Sequence, residues 1–244
     1  MIILLTNDDG LGARGISELE EVLSAEHDVY VIAPHEERSG SSNAFTIREP
    51  VILTRHDDRH FSLNGYPTDC VNVGLKAGII PYPDLVVSGI NHGPNLGDDI
   101  FFSGTVGAAR MARICGLSGI AVSLNSMDPL SPYFHDAASF VLSFIESGFK
   151  KNDILFNINY PSIPRHDVKG IRYALLTKRN YGNSFSNKSL PDGRMSLQLI
   201  GGLESIPEEG TDADFVKQGF VTITPLSTDC CDYDSLDNNE EQNG

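Results

Sequence analysis

The sequence is poor in basic side chains, and this shortage excludes one class of partner. Lys and Arg number 18 against 33 Asp and Glu, so the net charge of the 244-residue chain is −15 at pH 7. Proteins that bind nucleic acid through its phosphates need clustered positive charge. We therefore expect no nucleic acid duplex among the partners. No basic residue follows Lys217, and we expect residues 232–244 to form a disordered acidic tail that could at most recruit basic partners.

Long apolar runs are missing as well, and cysteine is scarce. No stretch reaches the length of about 18 apolar residues that a membrane helix needs. Residues 1–5 are apolar but have no basic segment before them, which argues against a secretion signal. The four cysteines, at positions 70, 115, 230 and 231, lack the spacing of metal ligands. These absences predict a cytoplasmic protein with no membrane partner.

What the chain does have is a repeated alternation of buried-type strands and amphipathic helices. The pattern predicts an α/β fold, a Rossmann-like, doubly wound and mostly parallel sheet of about five strands. The predicted strands of this sheet are residues 1–6, 28–33, 84–88, 119–124 and 154–159. Helices are predicted at 15–25, 67–77, 105–115 and 134–147, and a hairpin at 51–54 and 60–63.

The pattern changes after Pro161, where short strand-like pieces alternate with turns. These pieces are residues 170–177, 195–200 and 220–224. We therefore predict a catalytic domain over 1–161 and a β-rich oligomerisation extension over 162–224, with 225–231 returning to the first domain. Exposed hairpins of this kind commonly pair with a second subunit.

Two adjacent carboxylates, Asp8 and Asp9, follow the first predicted strand. In α/β folds the carboxyl ends of the strands are where ligands bind. Two neighbouring anions repel each other and resist desolvation, so such a site either protonates one acid or neutralises the pair with a cation. A hard divalent metal ion is the simplest solution.

The glycines that follow allow a second interpretation. Gly10, Gly12 and Gly15 match the G-x-G-x-x-G fingerprint of dinucleotide-binding folds. In those folds a pyrophosphate binds at the helix N-terminus, but here Asp8 and Asp9 would repel it. We therefore favour glycines that only turn the chain into the helix, and keep a nucleotide-binding module without catalysis as the alternative.

Two further loops are predicted at the same edge of the sheet. Residues 33–43 carry hydroxyls and backbone amides, and residues 88–99 are dense in amide oxygens with carboxylates and a hydroxyl. An oxygen-only set of ligands suits Mg²⁺ or Mn²⁺ rather than zinc. His92 is a possible base, but a lone histidine in a Gly/Asn loop more often faces solvent.

A run of small residues, Ser103, Gly104 and Thr105, leads into the third predicted helix, which begins at Thr105. Backbone N–H groups at such a helix start can approach an anion, for which phosphate is the obvious candidate. A structural helix cap would look the same over these residues, and Ser103 or Thr105 could serve as one.

Four motifs taken together resemble the survival protein E (SurE) family of metal-dependent nucleotidases. They are Asn-Asp-Asp-Gly at 7–10, Arg-Ser-Gly-Ser-Ser at 38–42, Ser-Gly-Ile-Asn-x-Gly-x-Asn-x-Gly-x-Asp at 88–99 and Ser-Gly-Thr-Val-Gly-Ala-Ala at 103–109. Later segments, among them Asn157-Ile-Asn159 and Gly-Thr-Asp-Ala-Asp at 210–214, extend the resemblance almost to Asp229. One departure is Phe102, where the family commonly has Tyr.

The resemblance implies a ligand set and an assembly. One Mg²⁺ or Mn²⁺ per subunit would be held by Asp8, Asp9, Ser39 and Asn95. Phosphate would bind near Asn91, Ser103, Gly104 and Thr105. The family's C-terminal extension is exchanged between subunits, which implies a homodimer or homotetramer.

The activity that the resemblance implies is hydrolysis of nucleoside 5′- and 3′-monophosphates, extending to short polyphosphate. Asp8 and Asp9 are the expected catalytic residues, with Asp9 orienting or deprotonating the attacking water.

Overall fold

The computed structural model describes residues 1–148, 154–179, 181–182, 184–200, 208–231 and 233. They form an α/β fold, as predicted. The strands are β1 (Ile2–Thr6), β2 (Asp28–Pro34), β3 (Leu53–Arg55), β4 (His60–Leu63), β5 (Leu85–His92), β6 (Gly119–Leu124), β7 (Leu155–Tyr160), β8 (Ile171–Tyr173), β9 (Phe185–Ser189), β10 (Met195–Leu199) and β11 (Val221–Pro225). The helices are α1 (Arg14–Leu23), α2 (Pro67–Lys76), α3 (Gly104–Ile114), α4 (Phe134–Glu146) and α5 (Asp212–Lys217).

Nine strands form one sheet in the order β3-β4-β2-β1-β5-β6-β7-β11-β8. The six strands from β4 to β7 in this order run parallel to one another, one more than the five expected, because β4 of the predicted hairpin also pairs with β2. The chain leaves β1 for β2 on one side and later returns to β5 on the other. This reversal is the switch point where such sheets bind ligands.

Helices cover both faces of the sheet, which is why its central strands carry apolar residues on both sides. Helices α1 and α4 pack on one face, where Ile16, Leu19 and Phe134 join the main core. Helices α2 and α3 cover the other face through residues such as Val71 and Ala108. Among the helices that the structure describes, none is both long enough and apolar enough to cross a membrane.

Beyond Pro161 the main sheet continues. Strand β11 pairs antiparallel with β7, and β8 pairs with β11. Strands β9 and β10 form a separate antiparallel hairpin whose side chains are all exposed. The division of the chain at 161 stays a prediction. The predicted acidic tail lies almost wholly outside the described residues.

Candidate active site

Asp8 lies just beyond β1, deep at the switch point, and is 3% exposed. Its carboxylate accepts a hydrogen bond from the hydroxyl of Thr105 and faces the backbone amides of Gly104 and Thr105. Burial raises the pKa of Asp8, and these donors oppose the increase. The start of α3 therefore serves, without a ligand, to hold this acid.

Only glycine fits at position 104. A Cβ there would lie 2.6 Å from Ser41 Oγ and 2.9 Å from the Asp8 Cβ. Ser103 caps α3, because its hydroxyl accepts a hydrogen bond from Val106 N at 3.1 Å. The Thr105 hydroxyl donates to Asp8, whereas the Ser103 hydroxyl accepts the cap hydrogen bond and can still donate its own O–H to a phosphate. Phosphate binding itself stays a prediction.

Asp9 is also withdrawn from water, with 5% of its side chain exposed. Burial, and then repulsion from Asp8, raises the pKa of Asp9 to about 6, although His92 opposes the increase. His92 Nδ1 lies 2.8 Å from Asp9 Oδ1 without hydrogen-bond alignment, and His92 N donates to Oδ2 at 3.4 Å. His92 keeps 27% of its side chain exposed, and β5, which extends to His92, also places its ring against this acid.

A cleft of about 790 Å³ opens beside the acid pair, by which we mean Asp8 and Asp9. It brings together most of the site residues predicted from three separate loops and the start of α3. Those that line it are Asp8, Ser39, Asn91, Asn95 and Ser103. Asp9 instead lines an adjoining cavity of about 210 Å³, and Glu37 and His92 border both spaces.

The neutral oxygen donors in the cleft are held by local hydrogen bonds. Ser39 Oγ donates to Glu37 Oε1 at 2.8 Å, and Asn91 Nδ2 donates to the carbonyl of Gly93 at 2.7 Å. Asn95 is 7% exposed and is fixed by residues of β6 and β7. These hydrogen bonds fix the orientation of the three side chains toward one another.

The oxygen atoms available at the site suit a hard divalent cation. Among the described residues no group of three or more His, Cys, Asp and Glu side chains could hold a metal, so the acid pair would need neutral oxygens. Ser39 and Asn95 offer them in the same cleft. Asp9 Oδ1 is buried and has no hydrogen-bond donor within the part of the chain that the structure describes. A buried carboxylate oxygen that accepts no hydrogen bond, even with His92 Nδ1 2.8 Å away, can serve as a metal ligand.

The glycine fingerprint has a structural explanation at two of its positions. Gly10 has φ +97°, which suits the turn into α1. Gly15 lies inside α1, where a Cβ would come within 1.9 Å of the Ile90 carbonyl oxygen. This close packing of helix on strand is sufficient reason for the glycines, as favoured from the sequence.

The sequence analysis did not identify one wall of the cleft, which is formed by Asp99, Arg179 and Tyr181. Arg179 Nη2 lies 2.8 Å from Asp99 Oδ2, and the hydroxyl of Tyr181 donates to Asp99 Oδ1. Apolar side chains of Phe102 and Leu199 line the same wall. No local signal could reveal these contacts, because Asp99 and Arg179 are 80 residues apart. Glu37 could have been predicted as a site residue from the sequence, because it is an acid two residues from Ser39.

Comparison with known proteins agrees with this geometry. The family model described as survival protein SurE matches residues 3–183. The chain is 40% identical over 240 residues to a protein of Desulfitobacterium hafniense (strain DSM 10664 / DCB-2) named 5′-nucleotidase SurE, covering 97% of this chain and 94% of that one. It is also 40% identical over 241 residues to the 5′/3′-nucleotidase SurE of Proteus mirabilis (strain HI4320), covering 96% and 93%.

A solved structure supports the same assignment. The crystal structure of the SurE protein from Aquifex aeolicus superposes with a TM-score of 0.86 at 32% identity, covering 100% of both chains. Fold, motifs and sequence identity thus converge over nearly the whole length. The chain belongs to the SurE family.

Proposed function

We propose that the protein is a metal-dependent phosphomonoester hydrolase that acts on nucleoside 5′- and 3′-monophosphates and, as a second substrate class, on short polyphosphate. One observation carries the proposal. Two adjacent acids lie at the switch point of the sheet, Asp8 buried and Asp9 with 5% of its side chain exposed, beside neutral oxygen atoms and the start of a helix. The names of the relatives supply the substrate class.

Each residue of the site has a role in this proposal. Asp8, Asp9, Ser39 and Asn95 would hold one Mg²⁺ or Mn²⁺, which polarises a phosphoryl oxygen and lowers the pKa of a bound water. Asn91 and the cleft face of Ser103 would contact the phosphate. The amides at the start of α3 keep Asp8 in place while adding positive potential near the developing charge.

Asp9 is the proposed base. With one carboxylate oxygen of Asp9 on the metal, the other would be placed to orient or deprotonate the attacking water. Asp9→Asn should therefore reduce turnover even when the metal is saturating. Full turnover in that variant would exclude Asp9 as the base while leaving the rest of the proposal standing.

The function is tested by phosphate release from a panel of nucleoside 5′-monophosphates, 3′-monophosphates and short polyphosphate. Each substrate is assayed with Mn²⁺, with Mg²⁺ and with EDTA. We expect release that EDTA abolishes and that added metal restores. Release that EDTA leaves unchanged would contradict the metal dependence, and binding of nucleotide without any release would favour the noncatalytic module.

We also propose that the protein works as a homodimer or homotetramer. The hairpin of β9 and β10 supports this proposal, because it exposes Phe185, Met195, Leu197 and Leu199. Apolar side chains in an exposed two-stranded hairpin are typical of an interface. Light scattering of the wild type and of Leu197→Asp should give a multiple of the 26.6 kDa chain mass for the first and a smaller species for the second.

A cytoplasmic location completes the proposal. All four cysteines lie within the described residues as free thiols, and burial raises the pKa of Cys70. Unpaired thiols are typical of a reducing compartment. Fractionation of cells that express the chain would test this location.

A further inference from the structure

The backbone N–H and C=O groups of Asn95 form hydrogen bonds with side chains rather than with the backbone of a neighbouring strand. Its N–H donates to Asn159 Oδ1 at 2.9 Å. Its carbonyl oxygen accepts from Asn159 Nδ2 at 3.0 Å and from Asn157 Nδ2 at 2.7 Å. Both partners lie on β7 and are completely buried. The two backbone groups of Asn95 are thus fixed on both sides by two amides.

The side chain of Asn95 is fixed as well. Its Nδ2 donates to Ser123 Oγ at 2.8 Å, and Ser123 is completely buried on β6. A side-chain amide has its nitrogen and oxygen on opposite sides of one carbon. Because Ser123 holds the nitrogen, Oδ1 is the amide atom left for the cleft that Asn95 lines.

Burying asparagine side chains in the middle of a sheet is costly unless each makes specific hydrogen bonds. Residues 157 and 159 alternate with Ile158, which points to the opposite face and joins the apolar core. Strand β7 therefore places polar side chains on the one face that meets the loop of Asn95. Packing alone would favour apolar residues at these two positions.

We propose that Ser123, Asn157 and Asn159 are positioning residues that orient Asn95 Oδ1 as a ligand for the divalent metal. The proposal rests on the proposed function, because it takes Asn95 as a metal ligand. Ser123 holds the amide nitrogen of Asn95, and the asparagines of β7 set the position of the backbone that carries this side chain. Partners of this kind, one step behind a ligand, typically change metal affinity by about 10- to 100-fold.

The test measures Mn²⁺ binding to the metal-free full-length protein by titration calorimetry, alongside thermal unfolding. The variants are Ser123→Ala, which removes one hydroxyl, and Asn159→Ala, which removes two of the three hydrogen bonds to the Asn95 backbone. The control is Ile158→Val, on the same strand but with its side chain in the core. We expect the dissociation constant for Mn²⁺ to rise about 10- to 100-fold in the first two variants and to stay at the wild-type value in the control.

The outcomes separate this inference from the proposed function. Wild-type Mn²⁺ affinity in both Ser123→Ala and Asn159→Ala would overturn the inference, even if both variants unfold at lower temperature. Should Asn159→Ala not fold, the affinity of Ser123→Ala decides. A wild-type protein that binds no Mn²⁺ would overturn the proposed metal site, and with it this inference.

Discussion

Two regions of the molecule bury an aspartate in different ways. At the acid pair, Asp8 lies beside a second carboxylate, and Asp9 Oδ1 lacks a hydrogen-bond donor among the described residues. At the other region, which we call the Asp212 junction, Asp212 is completely buried and accepts hydrogen bonds from the amides of Gly97 at 2.8 Å, Thr177 at 3.0 Å and Ala213 at 2.8 Å.

The neighbouring charges also distinguish Asp212 from Asp9. Burial raises the pKa of Asp212, while the three amides and then the Arg179 guanidinium oppose the increase. At the acid pair, the charge of Asp8 adds to the effect of burial on Asp9. A buried carboxylate with a full set of donors ties segments together, whereas a buried pair of carboxylates with incomplete partners is arranged for a cation.

The strongest test of this comparison is the loss of one charge from the acid pair. Asp8→Asn removes a proposed metal ligand, and we expect phosphate release to fall about 10²- to 10³-fold, an effect of the size seen when a key electrostatic group is lost. Its metal-free stability should fall less than that of Asp212→Asn, because the removal of one of two repelling charges offsets the weaker acceptor left for the donors at the start of α3. Phosphate release and urea unfolding in EDTA measure the two effects, with the exposed Asp58→Asn as the control.

Bound metal should then distinguish the two regions by stability. A ligand present at 100 times its dissociation constant stabilises the folded state by about 2.7 kcal/mol. We expect Mn²⁺ to raise the unfolding temperature of the wild type and of Asp212→Asn alike, but not that of Asp8→Asn. An equal rise in all three proteins would place the metal elsewhere.

Removing the charge at the Asp212 junction should chiefly cost stability. Asp212→Asn leaves three buried amides with a weaker acceptor, and we expect a loss of about 2 kcal/mol. For a chain of this size that lowers the unfolding temperature by about 4–8 °C. Thermal unfolding measures the change. An unchanged unfolding temperature would show that the junction does not depend on the charge.

An exposed cluster of charges should matter least. His60 lies 2.5 Å from Glu20 Oε1 and 2.8 Å from Asp57 Oδ2. Partial burial opposes protonation of His60, but its hydrogen bonds to both acids outweigh this effect and raise its pKa above 6.5. Protonated His60 therefore stabilises the fold below pH 6.5, and this contribution is lost as the pH rises through the higher folded-state value.

His60→Gln should accordingly destabilise the protein only at acidic pH, by less than about 1 kcal/mol because solvent screens the pairs. Urea unfolding at pH 5.5 and pH 8.5 measures the difference. A larger loss at the alkaline pH would contradict the assignment of charge to His60.

Much of the fold could be predicted because its signals are local. The apolar strand β1, the amphipathic helix α1 and the small residues before α3 have local patterns that do not depend on distant contacts. The prediction of β6 matched the observed strand from Gly119 to Leu124. The extension of β5 to His92 could not be read in this way, because Gly89, Asn91 and Gly93 disfavour a strand and only pairing with β6 supports it.

The sequence by itself determined the family motifs, the α/β class and the acids at the end of the first strand, since these depend on neighbours along the chain. Tertiary structure alone decided what each side chain contacts. It directed Thr105 to Asp8, His92 to Asp9, and Asn157 and Asn159 to Asn95. The physical reason is that burial and partners arise where distant strands meet, and these contacts leave no periodicity in the chain.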